Sequence, residues 1–137
     1  MYNLFQKLIS IYYYQKARNL ASKEKFLDAL VSLNKMPKKE ESFMYFLLAA
    51  FLYERLFQFE NALIFYDKAK FLVIENQKLT ENEKNYLYKY INYGYIYIYE
   101  HLNKFDDAKK MKQDNTKISY NLNEISNFIK NDFVITD

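Results

Sequence analysis

Cysteine is absent from the 137 residues. That excludes disulfides, thiolate metal sites and a cysteine nucleophile, and it fits a reducing compartment. There is one glycine, Gly94, and one proline, Pro37. A β-rich fold needs turn residues far more often than this, and a phosphate-cradling loop needs several glycines. The single histidine, His101, cannot build a histidine-rich metal site. Neither sign of charge dominates: Lys and Arg number 20 against 17 Asp and Glu, for a net charge of +3. Only Arg18 and Arg55 supply guanidinium groups, the better readers of phosphate and base, so a nucleic-acid partner is not indicated. Long hydrophobic runs are also missing. The longest uncharged apolar run, Ser42 to Tyr53, is too short to span a bilayer. The stretch Leu8 to Tyr14 runs into Lys16 and Arg18 without a small-residue cleavage site. The expectation is a cytoplasmic protein without a membrane partner.

Half of the chain is hydrophobic and a fifth is aromatic, enough for one core and one domain over residues 1–137. The abundance of Lys, Asn, Ile, Tyr and Phe matches AT-rich codons and so suggests an AT-rich, bacterial gene. Helical spacing dominates the apolar pattern. Leu4, Leu8, Ile11 and Tyr12 give a first helix its apolar face, and Ser22 is the expected cap of a second helix carrying Phe26, Leu27, Leu30, Leu33 and Met36. Pro37 breaks the pattern, and Glu40 and Glu41 favour a new helix start. A third helix is expected from about Ser42 to Leu56 and a fourth from about Glu60 to Asn76. Thr80 and Glu83 form a capping box for a fifth, reaching about Asn103. Phe105, Ala108 and Met111 mark a sixth, with Asp106 and Asp107 near its dipole-positive start; Ile118, Leu122, Ile125 and Ile129 mark a seventh. One segment speaks for a strand: tyrosines from Tyr86 to Tyr99 recur at every second position in two runs, and tyrosine favours sheets. The capping box upstream and the repeat below favour a helix.

The series Ala17, Leu20, Phe26, Ala29, Leu33, Met36 recurs as Ala50, Tyr53, Phe59, Ala62, Tyr66, Ala69. A third copy follows after an insertion as Tyr99, Phe105 and Ala108. Small residues let two helices approach, and large neighbours fill the groove between successive hairpins. The stretch Ala49 to Tyr53, with Phe59, Ala62, Tyr66 and Ala69, resembles the tetratricopeptide repeat (TPR) family, and the likeness extends over about Tyr13 to Gln113. Departures are Phe57 at the helix-turn glycine, Phe46 at the first tryptophan position, and no proline after Ala69. In the third unit Ile96 stands where a small residue is expected and Lys112 where an aromatic is. The resemblance implies an all-α fold of about seven helices. Antiparallel hairpins over about 3–36, 42–76 and 81–114 would stack as a short TPR-like superhelix, with a capping helix at about 117–131.

It also implies a concave groove lined by the first helix of each hairpin. Tyr14 and Arg18 would enter it from the first unit, and Leu47, Phe51, Glu54 and Arg55 from the second. Tyr90, Tyr93, Tyr97 and His101 would follow from the third, spaced three, four and four along one helical stripe. Tyrosine and arginine are enriched at binding hot spots. The same stripe reads equally as core if the C-terminal helix folds over it, in which case the binding surface lies elsewhere, on the convex side or in the Asp114 to Asp137 tail. No catalytic, cofactor or metal constellation stands out. The expected function is non-enzymatic protein binding, in its narrowest form a bacterial immunity protein that neutralises a cognate toxin. A TPR-type secretion chaperone or adaptor is one alternative. RNA binding through lysines and stacked tyrosines is another, and a nucleic acid is the less expected partner. The sequence leaves the oligomeric state open.

Overall fold

The computed structural model describes residues 3–130. Its elements are α1 (Leu4–Ser22), α2 (Phe26–Leu33), a 3-10 turn (Lys39–Glu41), α3 (Phe43–Arg55), α4 (Phe59–Glu75), α5 (Glu81–His101), α6 (Phe105–Thr116) and α7 (Leu122–Lys130). The described residues contain no strand, so the tyrosine-rich segment is helical and the all-α, seven-helix reading stands. Its capping box forms as expected: Thr80 Oγ1 accepts from the Glu83 N–H at 3.1 Å, and Glu83 Oε1 accepts from the Thr80 N–H at 2.8 Å. Ser42 caps α3 by accepting from the Tyr45 N–H at 3.2 Å. Asn3 and Gln6 form a further capping box at the start of α1. Ser22 does not cap α2. Its hydroxyl donates back to the Asn19 carbonyl at 2.7 Å, and the N-cap of α2 is Lys25, without a side-chain bond.

Three turns repeat at the spacing of the sequence repeat. Glu24, Phe57 and Asn103 all occupy the left-handed region, at φ 59°, 60° and 59°. In each, the next N–H reaches five residues back: Lys25 to Leu20, Gln58 to Tyr53 and Lys104 to Tyr99, at 2.8–2.9 Å. The N–H of the left-handed residue itself reaches three back, to Ala21, Glu54 and Glu100. This pair of hydrogen bonds satisfies orphan carbonyls at a helix end and turns the chain into the next helix. Glycine usually supplies the left-handed residue. None does so among the described residues, and the cost for a residue with a Cβ is about 1–2 kcal/mol.

By internal contacts the described chain forms two compact units, residues 3–69 and 70–130. In the first, Ala17, Ala29, Leu33, Ala49, Ala50, Leu52, Ala62 and Ala69 are completely buried. These include five of the alanines that define the repeat, which is what close helix approach requires. Phe65 of α4 meets Tyr45, Phe46 and Tyr53 of α3 at ring distances of 6.1, 5.5 and 5.0 Å. The Tyr45 hydroxyl donates to Asn34 Oδ1 at 2.7 Å. Its pKa is pushed up to about 12, first by burial and then by Tyr53 and Glu40. In the second unit Val73, Leu87, Ile91, Ile98 and Ile125 are buried, with Gly94 and Ala108 giving α5 and α6 their small contacts. The end of the expected capping helix, residue 131, lies outside the described residues.

Candidate protein-binding surfaces

In the first unit α1 buries Ser10, Tyr14 and Ala17. The Ser10 hydroxyl donates to the Pro37 carbonyl at 3.4 Å. The opposite stripe, which carries the helical spacing in the sequence, faces solvent: Leu4, Phe5, Leu8, Ile11 and Tyr12 are 74%, 71%, 58%, 41% and 59% exposed. A row of large apolar side chains therefore stands out along the first turns of one helix. No acidic residue occurs in α1, whose charges are Lys7, Lys16 and Arg18.

On α3 the groove candidates divide. Leu47 is buried, as is Tyr14 on α1, and neither offers a partner appreciable surface. Arg18 and Phe51 are half-buried and Arg55 is exposed. The Arg55 guanidinium lies over the Phe51 ring at 5.1 Å, and Phe51 meets Phe26 edge-on at 6.4 Å. Arg55 Nη2 also sits 3.4 Å from Glu54 Oε2. Glu54, placed in the groove by the sequence, is instead only 3% exposed, and its Oε1 accepts from the buried Tyr66 hydroxyl at 3.0 Å. Glu54 thus joins α3 to α4 and helps hold Arg55 against Phe51. A guanidinium fixed in this way loses less freedom when it meets a carboxylate.

In the second unit Tyr90 and Tyr97 are half-buried, Tyr93 is 62% exposed and His101 is exposed. Tyr97 packs on His101 with ring centroids 4.1 Å apart, and His101 Nδ1 lies 2.9 Å from the Tyr97 carbonyl. That contact requires the proton on Nδ1, because a carbonyl only accepts. On the next face Tyr95 stacks on Tyr99 at 6.1 Å. Contacts from the segment around α7 fall on the first half of α5, as far as Lys89 beside Tyr90. Tyr86 touches Tyr120 and Phe128, Asn82 bonds Glu124, Asn85 donates to the Ser119 carbonyl, and Lys89 to that of Ile118. Tyr88 lies in the same stretch, its pKa raised by burial and then by Glu81.

Sequence spacing misses two features. The exposed α1 stripe carries the helical period, but periodicity does not say which stripe is covered. A cleft of about 150 Å³ between α5 and α6 draws Tyr93 together with Lys89, Ile96, Lys112, Asn115 and Thr116. Of these, the sequence marks only Tyr93 for binding. Among the described residues, no helix is long and apolar enough to cross a membrane. No group of three or more metal-competent side chains gathers among them either. Compared with known proteins, the chain matches no protein-family model, no curated protein and no solved structure.

Proposed function

We propose that this chain is a non-enzymatic, TPR-like protein-binding domain. The observation that carries the reading is the exposed stripe Leu4, Phe5, Leu8, Ile11 and Tyr12 on α1. Single exposed apolar residues are ordinary on a protein surface, whereas a contiguous group of this size marks an interaction site. Tyr93 and the braced Arg55 add residues of the kinds enriched at hot spots. In its narrowest form the reading is an inhibitor of the immunity-protein kind, binding a cognate toxin in a one-to-one complex. A secretion chaperone would use the same surfaces on an exported client.

The test is to capture the product of a neighbouring gene with the intact chain and weigh the complex in solution. Alanine at Leu8 is expected to leave the melting temperature within a few degrees of the parent, because the side chain is 58% exposed. Alanine at Tyr93 is expected to do the same. The affinity of either variant should fall about tenfold or more. A complex indifferent to both substitutions would overturn the proposal as far as these surfaces are concerned.

A further inference from the structure

From the α5–α6 cleft we infer a receptor site for the carboxylate of an acidic side chain on the bound protein. The inference rests on the protein-binding reading for the source of that carboxylate, and on the cleft alone for the chemistry. Lys89, Tyr93 and Ile96 line one wall from successive turns of α5, and Lys112, Asn115 and Thr116 line the other from α6. No carboxylate belongs to the lining, which carries two lysines, and among the described residues the one acid paired with either of them is Glu100, beside Lys112.

Both lysines keep donors to spare. Lys89 Nζ gives one proton to the Ile118 carbonyl at 3.1 Å. Lys112 Nζ lies 3.5 Å from Glu100 Oε2, a long pair with both side chains well exposed, which holds the lysine only weakly. Each ammonium carries three protons, leaving two on either side of the cleft.

The base of the site adds an amide. Asn92 and Asn115 are 6% and 4% exposed, and Asn92 Nδ2 donates to Asn115 Oδ1 at 3.1 Å. That bond occupies the Asn115 carbonyl, and Asn115 belongs to the cleft lining, where its Nδ2 is a hydrogen-bond donor. A neutral amide N–H adds a donor beside the two lysines for an acceptor that enters the cleft. A carboxylate entering between Lys89 and Lys112 meets it with an oxygen.

Size selects the ligand further. A volume of about 150 Å³ equals about five waters at the liquid value of ~30 Å³ each. One carboxylate and its methylenes fit. Ile96 and the Tyr93 ring supply apolar flanks for the methylenes, and Tyr93, being 62% exposed, is also reachable from the partner's surface. Glu100 already shows the pairing at the rim, where an incoming acid would displace it from Lys112.

The experiment uses the intact chain, labelled with ¹⁵N, and three probes followed by NMR: a blocked Ala-Glu-Ala peptide, its Ala-Gln-Ala counterpart, and inorganic phosphate. The Glu peptide is expected to saturate about the millimolar range, as one charged group without further contacts does. It should shift the Asn115 side-chain amide and the backbone signals of Lys112 and Thr116. Lys112→Ala should weaken it at least tenfold while leaving the melting temperature unchanged. Glu100→Gln should tighten it by a few-fold. Equal shifts from the Gln peptide, tighter saturation by phosphate, or indifference to both substitutions would each overturn the assignment. The protein-binding reading fails separately: saturable shifts in the cleft without any stable protein complex would sink that reading and leave the cleft. A stable complex that tolerates Lys112→Ala would sink the carboxylate site and leave the reading.

Discussion

Tyr45 shows how much a single side chain reports about its surroundings. It is 5% exposed, its hydroxyl donates to Asn34, and its pKa is pushed up to about 12 by burial, Tyr53 and Glu40. Folding therefore favours the neutral phenol. Below the unfolded value near 10 that stability is fully present, and it is lost as pH rises toward the folded value. A rise of this size corresponds to at most about 2–3 kcal/mol. Tyr45→Phe removes the titration together with one hydrogen bond worth about 1 kcal/mol. The parent should thus exceed the variant in urea stability at pH 8 and lose that advantage between pH 10 and 12. Parallel pH profiles would show that the tyrosine does not titrate as its burial requires. Glu54 reports in a different way. A carboxylate near the end of a helix looks accessible from the sequence, yet it is buried against the Tyr66 hydroxyl. Nothing local distinguishes it from an exposed glutamate; the partner lies twelve residues away on α4.

At the scale of the element, helix ends carry the testable content. The repeated left-handed turn falls on Glu24, Phe57 and Asn103. Asparagine tolerates this region better than glutamate or phenylalanine, because its short amide can hydrogen-bond locally and offset the Cβ crowding that all three share. Glu24→Gly relieves that strain while adding chain entropy to the unfolded state, for a net gain of about 0.5–1 kcal/mol. Asn103→Gly should give close to nothing. Calorimetric melting of both variants checks the contrast, and equal gains would mean that strain is not what separates them. Ala50 and Ala62 test the close approach between helices. Both are completely buried, and leucine at either should overpack its site at a cost of about 1–3 kcal/mol. Variants that melt with the parent would contradict the packing of α3 and α4.

For the whole molecule, the composition offers two kinds of partner, and salt separates them. A protein seated on the apolar α1 stripe buries uncharged surface, so its affinity should change little between about 50 and 200 mM salt, whereas a nucleic acid held through about 6–10 phosphate contacts would lose about 10³–10⁵ in affinity. Isothermal titration with the captured partner and with an RNA oligonucleotide decides the matter. A steep slope with the RNA as the tighter ligand would displace the protein-binding reading. The carboxylate cleft sits between these limits, since one ion pair contributes a shallow slope of its own.

Features that depend only on neighbours along the chain are legible without the fold. Helical period, the Thr80–Glu83 box and the repeated alanines are all local or periodic. The missing turn glycines obscure the turns themselves, because a left-handed glutamate or phenylalanine leaves no mark in composition. Which stripe of α1 is covered was settled by packing instead. Leu4, Leu8 and Ile11 are as apolar as any core residue, yet Ser10, Tyr14 and Ala17 are the ones buried, where a small residue permits closer approach than a row of large ones. Packing likewise brings Lys89 and Lys112 to one cleft and buries Glu54. Burial and charge convergence depend on pairs of residues far apart in sequence, and spacing along one helix does not encode which second helix will meet it.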